Sequence, residues 1–388
     1  YQMIGLFDER GIQYANWQFD GAGRAISSER GSPGSGINKV SLAYTSTTST
    51  MITNPLGNSR TITLSNVNHA KKVTGMSVAC PSCGSNAAAK TYDANGNVDT
   101  ETDFDGTITD VDYNTRGLLT QKIESANKTA TKRTTQVDWH ASFNVPIERR
   151  IYNNANGTNV LETKTKYAYN SRGQVTAVCQ INPSVSAAMS YVCGSSTNAP
   201  TGVRQSTTTY CEQADITASN CPLVGLVTSS NGPRTDASDV TMFIYYQTDD
   251  ATCAASPTTC PHRKGDLWKI TNAALHVTEY LAYDGTGHAL KTKDANNVIT
   301  DMEYNPRGWL TAYKVRGLDD TGEFYDDAIS RYDYDAAGQV IKATQADGHL
   351  LGDYIIFNYD AAHRLTDIVD AENNSITYTL DHAGNRTV

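Results

Sequence analysis

The residues best suited to chemistry are eight cysteines in near-neighbour pairs: Cys80 and Cys83, Cys179 and Cys193, Cys211 and Cys221, Cys253 and Cys260. An even count closing short loops fits local disulfides formed in an oxidising compartment, where they restrain the unfolded chain. Cys80-Pro-Ser-Cys83 also offers half of a zinc site, with His69 or a distant cysteine pair left to complete it, and His69 and His262 are the histidines that lie near Cys pairs. The usual second pair 12 to 20 residues later is missing, so disulfides are the expectation and no metal or other cofactor is assigned. A redox role would need a helix N-terminus to lower a thiol pKa, and none is signalled.

Carboxylates form the second candidate set. Asp110 with Asp112, and Asp301 with Glu303, stand at i, i+2, which puts each pair on one face of a strand. Paired acids at a suitable separation can serve a glycosidase. These pairs recur with a sequence repeat, however, and a solvated outer face is the simpler expectation. His140 follows Trp139 with no nucleophile nearby and reads as a structural strand residue. Nucleotide-binding glycine patterns are absent. No catalytic constellation emerges, and the chain reads as a non-enzyme.

The elements that carry these residues are set by one recurring figure, Tyr-Asp/Asn-x-x-Gly. It occurs at Tyr92-Asp93 with Gly96, Tyr113-Asn114 with Gly117, and Tyr169-Asn170 with Gly173. It returns at Tyr283-Asp284 with Gly287, Tyr304-Asn305 with Gly308, and Tyr334-Asp335 with Gly338. Phe19-Asp20 and Leu380-Asp381 are variants, and Tyr359-Asp360 has His363 in place of Gly. Asp or Asn accepts a hydrogen bond from the backbone two residues on, and Gly tolerates positive φ, so each figure predicts a hairpin turn. Tyr ends the incoming strand with its ring on a sheet face. An apolar residue two after the Gly (Val98, Leu119, Val175, Leu310, Val340) opens the outgoing strand.

Reverse turns recur too, at Asp103–Gly106, Asp294–Asn297 and Asp370–Asn373, so one repeat is two strands and two turns. A single hairpin is marginal in water and needs neighbours. The fold class expected is all-β: stacked antiparallel hairpins forming one long, spiralling sheet. The array is expected to be continuous over residues 1–388, with irregular, Cys-rich repeats and longer loops over 179–265. Gly31–Gly36 reads as a flexible turn, and no segment shows helical periodicity.

On these motifs the chain resembles the RHS, or YD-repeat, family of bacterial polymorphic toxins, insecticidal toxin complexes and teneurins. The resemblance spans most of residues 1–180 and 265–388. It implies an antiparallel YD-repeat β-solenoid whose hairpins spiral into a hollow shell or tube, secreted or displayed on a bacterial surface, that encloses or displays a polypeptide cargo, typically a C-terminal toxin. Bacterial members typically end in a core segment with a DPxG-type motif, and none occurs here. Because the pattern is still running at Val388, a segment of a longer polypeptide is expected, with its own cargo or further repeats as partners.

Composition excludes other classes. Charged residues make up 19% and the formal net charge is −9, with no Lys/Arg cluster to hold nucleic acid. No apolar run of 18 residues signals a helical membrane span. Tyr outnumbers Phe 22 to 7, suiting a sheet that packs amphipathic rings with a wet edge. Two further functions fit the repeat: an extracellular fibre or tube self-associating through edge strands, and a surface adhesin or carbohydrate-binding module.

Overall fold

The computed structural model describes residues 2–79, 87–154, 157–196, 198–318, 327–344 and 353–387. Among them lie 28 strands in a single sheet. Every strand pairs antiparallel with its neighbours in sequence, from Gly5–Phe7 to Ser375–Thr377, so the sheet is one unbroken meander. The chain is all-β and almost entirely antiparallel; the one α-helix among the described residues is the five-residue Gln213–Thr217. That helix departs from the sequence reading. A capping box between Glu212 and Asp215 supports it without any long periodic run.

The outgoing strands begin where the apolar residue after each Gly stands: Val98–Asp103, Leu119–Glu124, Val175–Ile181, Leu310–Val315 and Val340–Thr344. At each Tyr the register shifts by one residue. Glu303 faces Ala312, for instance, while Tyr304 faces Leu310, leaving Thr311 as the bulged residue. Each bulge sharpens the local twist, and a row of them along one side curls a long sheet.

Little of this wall is fully buried. Among the described residues, the one compact apolar cluster, Cys179, Ile181, Ala188 and Val203, forms where the 182–202 connection folds back over the sheet. Elsewhere the strands hold together by ladder bonds, half-buried side chains and cross-strand charge pairs. Asp301 is one example: its carboxylate lies 2.5 Å from Arg316 Nε and 3.7 Å from Lys291 Nζ, while Glu303 meets Lys314 and Arg331. These acids are therefore strand-to-strand partners. The expected solvated face holds only in part.

Strictly alternating connections give the sheet two rims. One carries the Tyr-Asp turns (the YD rim), and the opposite rim carries the reverse turns, beginning with Asp8–Gly11. The sheet curls until the two meet. Asp8, Arg10 and Asn38 on the opposite rim touch His363, Asp335 and His382 on the YD rim, more than 300 residues away in sequence.

Candidate functional site: the turn rims and their seam

The sequence residues singled out for turns build one geometry. In the Asp284 turn, the Asp284 amide donates to His288 O (2.9 Å) and the Gly287 amide donates to Asp284 O (3.2 Å). The side chain adds what the sequence reading only half anticipated: Asp284 Oδ1 accepts from the amides of both Thr286 and His288, two and four residues on. Asp93, Asn114, Asn170, Asn305 and Asp335 accept the same two bonds. So do the reverse turns at Asp103, Asp294 and Asp370. The fourth residue sits at positive φ, as in Gly96 (84°), Gly117 (74°), Gly173 (77°), Gly287 (93°), Gly308 (78°) and Gly338 (88°). His363 adopts it at 63°, where a non-glycine residue costs about 1–2 kcal/mol.

The carboxylates are tuned accordingly. For Asp284, burial pushes upward, but bonds from Thr286, His288 and two amides outweigh it and hold the carboxyl well below its usual range. Asp93 is held down first by the Asn97 side chain and then by its amide bonds, against partial burial.

The repeat tyrosines do more than pack. Tyr334 Oη donates to Leu310 O at 2.7 Å, and Tyr359 Oη to Val340 O at 3.0 Å. Tyr92, Tyr169 and Tyr283 donate likewise to Val73 O, Pro146 O and Leu267 O. Four of these five carbonyls belong to the first residue of an outgoing strand, next to the bulge where the ladder is interrupted. Each hairpin thus fills a bonding gap in the one before it. Tyr304 turns instead to Met302 Sδ, and Tyr113 makes no such bond among the described residues.

Some members of the series were invisible to the motif. Trp139 replaces Tyr and donates Nε1–H to Leu119 O (2.6 Å). His140 replaces Asp, its Nδ1 accepting from the amides of Ser142 and Phe143. His140 therefore sits in a turn, not within a strand as expected, because an imidazole nitrogen can do the work of a carboxylate oxygen. Tyr44, Tyr210 and Tyr245 likewise reach Ala25, Val175 and Val227 carbonyls ahead of connections that lack the figure.

Along the YD rim, each turn is tied to the next. Arg116 Nη2 donates to His140 O (2.6 Å), Arg172 pairs with Glu212 (2.6 Å), and Arg307 Nη1 donates to Ala336 O (2.6 Å). Arg364 reaches Asp381 O, and Trp309 packs on Tyr334 with ring centroids 5.3 Å apart.

At the seam, His363 Nε2 and Asp8 Oδ2 are 2.9 Å apart, and the imidazole lies 4.7 Å from the Tyr14 ring. Arg10 holds Asp8 at 2.7 Å and reaches Asp335 at 3.2 Å. The Asp8 side chain is only 4% exposed. Burial raises its pKa, but the bonds from His363, Arg10 and two amides win and keep it far below the ordinary carboxylate range. Glu29, also buried, accepts from the amides of Gly34 (2.8 Å) and Gly36 (2.9 Å). The Gly31–Gly36 stretch is thus organised around a carboxylate, which corrects its reading as a flexible turn. It presents Asn38, whose amide donates to His382 O at 2.6 Å.

Three cysteine pairs are disulfides: Cys179–Cys193, Cys211–Cys221 and Cys253–Cys260. Cys80 and Cys83 lie outside the described residues. Among those described, no group of His, Cys, Asp and Glu is arranged to hold a metal, and no helix is long and apolar enough to cross a membrane.

Comparison with known proteins places this geometry. Residues 359–388 match the family model RHS Repeat. No curated protein matches the sequence. Solved structures that resemble the chain include the crystal structures of TcdB2-TccC3-Cdc42 and of TcdB2-TccC3, each at 13% identity and a TM-score of 0.49. A Photorhabdus luminescens Tc holotoxin pore is similar at 15% identity and a TM-score of 0.25. In all three, 98% of this chain aligns, spanning 22%, 22% and 21% of the other chain. The RHS repeat matched at 359–388 has turn chemistry that recurs back to Asp8.

Proposed function

We propose that this chain is a wall segment of an RHS shell, non-catalytic, that encloses or displays a polypeptide cargo outside a bacterial cell. The observation that carries this reading is the unbroken meander curled until its first and last hairpins meet rim to rim. Such a sheet is a curved partition, and its turns, phenol bonds and charge ladders all serve wall continuity. Disulfides across three successive long connections suit an oxidising, extracellular setting. Strands Val203–Tyr210, Val227–Asn231 and Val240–Tyr245 continue the ladder, which supports counting the irregular 179–265 region in the same array.

The test is the intact polypeptide's mass together with electron microscopy and limited proteolysis of the native particle. Hollow particles from a longer chain, with an internal fragment cut only after denaturation, are expected. Solid particles, or cargo as sensitive before denaturation as after, would overturn the reading.

A further inference from the structure

We propose that one face of the strands running from Leu119–Glu124 to Val203–Tyr210 is a docking trough for an acidic polypeptide segment, bound through guanidinium–carboxylate pairs. The proposal rests on the wall reading for a polypeptide to hold, and goes beyond it by naming that polypeptide's chemistry.

The carrying observation is where the unengaged arginines stand. Arginines elsewhere are held by carboxylates, as at Arg10, Arg24, Arg150 and Arg172, by carbonyls, as at Arg116 and Arg307, or by a ring, as at Arg386. Arg133, Arg149 and Arg204 have no hydrogen bond, ion pair or ring partner among the described residues, and all three are exposed. The ladder puts them on one face. Val137, Arg149, Thr165, Gln180 and Arg204 form a single row of directly opposed residues. Arg133 faces Asn153, four residues along the strand from Arg149 and so on the same side. Lys122 joins them by facing Thr135, which in turn faces Ile151. The other face of these strands differs: there Arg150 is bonded to Asp138 and Glu148, and Lys164 to Glu148.

The face is also hollowed. A cavity of about 350 Å³ is lined by Lys122, Arg133 and Arg149 together with Leu119, Val137 and Ile151. One of about 580 Å³ runs past Thr163, Thr165 and Gln180 to Arg204. The two adjoin, because Thr163 and Thr165 face Ile151 and Arg149 directly. The acids on this face, Glu124 and Glu162, lie toward one end and are bonded to Lys122 and to the Asn153 side chain.

The occupant's chemistry follows from these groups. Guanidiniums bind carboxylates through paired, charge-assisted bonds. Arg149 and Arg204 stand three strand spacings apart, about 14 Å, which an extended peptide matches with acids four residues apart, about 13 Å. An aliphatic side chain two residues before the acid on Arg149 falls beside Val137 and Ile151. A polypeptide offers that side chain, whereas a sulfated or phosphorylated polymer does not. The net charge of −9 repels such a segment from the rest of the chain, which directs it to this trough.

The experiment is fluorescence anisotropy of the full chain with a labelled peptide, Glu-Ser-Leu-Ser-Glu-Ser-Ser-Ser-Glu, at low and high salt. The same peptide with Gln or Lys for Glu, and a sulfated oligosaccharide, are the comparison ligands. Micromolar binding of the Glu peptide that weakens with salt is expected. Arg149→Gln with Arg204→Gln should weaken it about tenfold or more, and Arg133→Gln should weaken it independently. Arg331→Gln, exposed beside Glu303 in another part of the sheet, is the control and should bind like wild type. Thermal melts check that the variants fold, and Arg133→Gln decides if the double variant does not. No binding at high micromolar concentration, variants that bind like wild type, or equal binding of the Gln or Lys peptide overturns the proposal. Tighter binding of the sulfated oligosaccharide than of the Glu peptide overturns it equally. Because cargo protection is read separately on the native particle, failure here leaves the wall reading standing. Solid particles together with arginine-dependent peptide binding would refute the wall and leave the trough.

Discussion

Replacing Tyr334 by Phe removes one oxygen and nothing else, and so isolates the bond that joins successive hairpins. The hydroxyl donates to Leu310 O at 2.7 Å, at the start of the strand Leu310–Val315, where the bulge interrupts the ladder. The ring, its contact with Trp309 and the turn at Asp335 all remain. A neutral hydrogen bond of this kind contributes about 1 kcal/mol net, with the low end applying where water can reach the abandoned carbonyl. In a chain whose repeats touch mainly their neighbours, that loss stays local. Global unfolding would dilute it, so native-state hydrogen exchange is the suitable assay. A loss of about 1 kcal/mol lowers protection about fivefold, in Leu310–Val315 and Ala328–Tyr334, with other strands unchanged. Tyr313→Phe is the control, since its exposed ring lies in the receiving strand itself. Equal protection in Tyr334→Phe and wild type, or an equal drop in Tyr313→Phe, would refute the reasoning that the phenol series holds the hairpins in register.

Further outcomes follow from the same geometry. Gly338→Ala should destabilise more than Gly287→Ala: both backbones are left-handed, but the added Cβ at 338 would lie 2.7 Å from the Trp309 ring while nothing stands within 4 Å at 287. The strained conformation alone costs about 1 kcal/mol, and thermal melts that rank the two equally would contradict the packing argument. Reducing the disulfides should loosen residues 179–265 selectively; loops of 14, 10 and 7 residues' separation correspond to roughly 2–3 kcal/mol each in the chain-entropy account. Exchange or proteolysis with and without reductant checks this, and a uniform effect along the chain would count against it. Stability should fall at both pH extremes. The turn carboxylates Asp93, Asp284 and Asp381 are depressed, so their stabilisation is present above the unfolded value near 4 and is lost as pH falls toward their folded values. Burial raises the phenols of Tyr283, Tyr334 and Tyr359, so theirs is present below about 10 and is lost on going higher. Denaturation monitored across pH tests the assignment: Asp93→Asn and Asp93→Ala should both lose this residue's share of the acid limb, with Asn more stable than Ala because its oxygen still accepts the turn amides.

Much of the wall is written in short stretches, because a Tyr-Asp-x-x-Gly turn is a local device: its acceptor, its left-handed residue and its amides lie within five positions. That is why Tyr92, Tyr283 and Tyr334 could be placed at strand ends from the sequence. Trp139-His140 escaped the pattern because different atoms supply the same donor and acceptor. The ties between turns escaped for another reason. Arg172 meets Glu212 across 40 residues, and no spacing rule links them. The seam is the extreme case, since the pairing of Asp8 with His363 depends on the summed curvature of every strand between them. His363 in place of Gly was the single visible trace, and by itself it suggested only a local variation. Gly31–Gly36 looked loose because its organiser, Glu29, reads as an ordinary strand residue until its burial is seen.

An unbroken meander also dictates an order of assembly. Every strand finds its partner in the segment just before it, so the conformational search at each step is short and folding can advance as a zipper from any completed hairpin. The bond between Asp8 and His363 spans 355 residues and cannot join that progression. Until the turns at Asn305 and Asp335 exist, the growing sheet is an open ribbon with no contact between its beginning and its end. Closing the curl is therefore a late, separate event that follows the local pairing of nearly every strand.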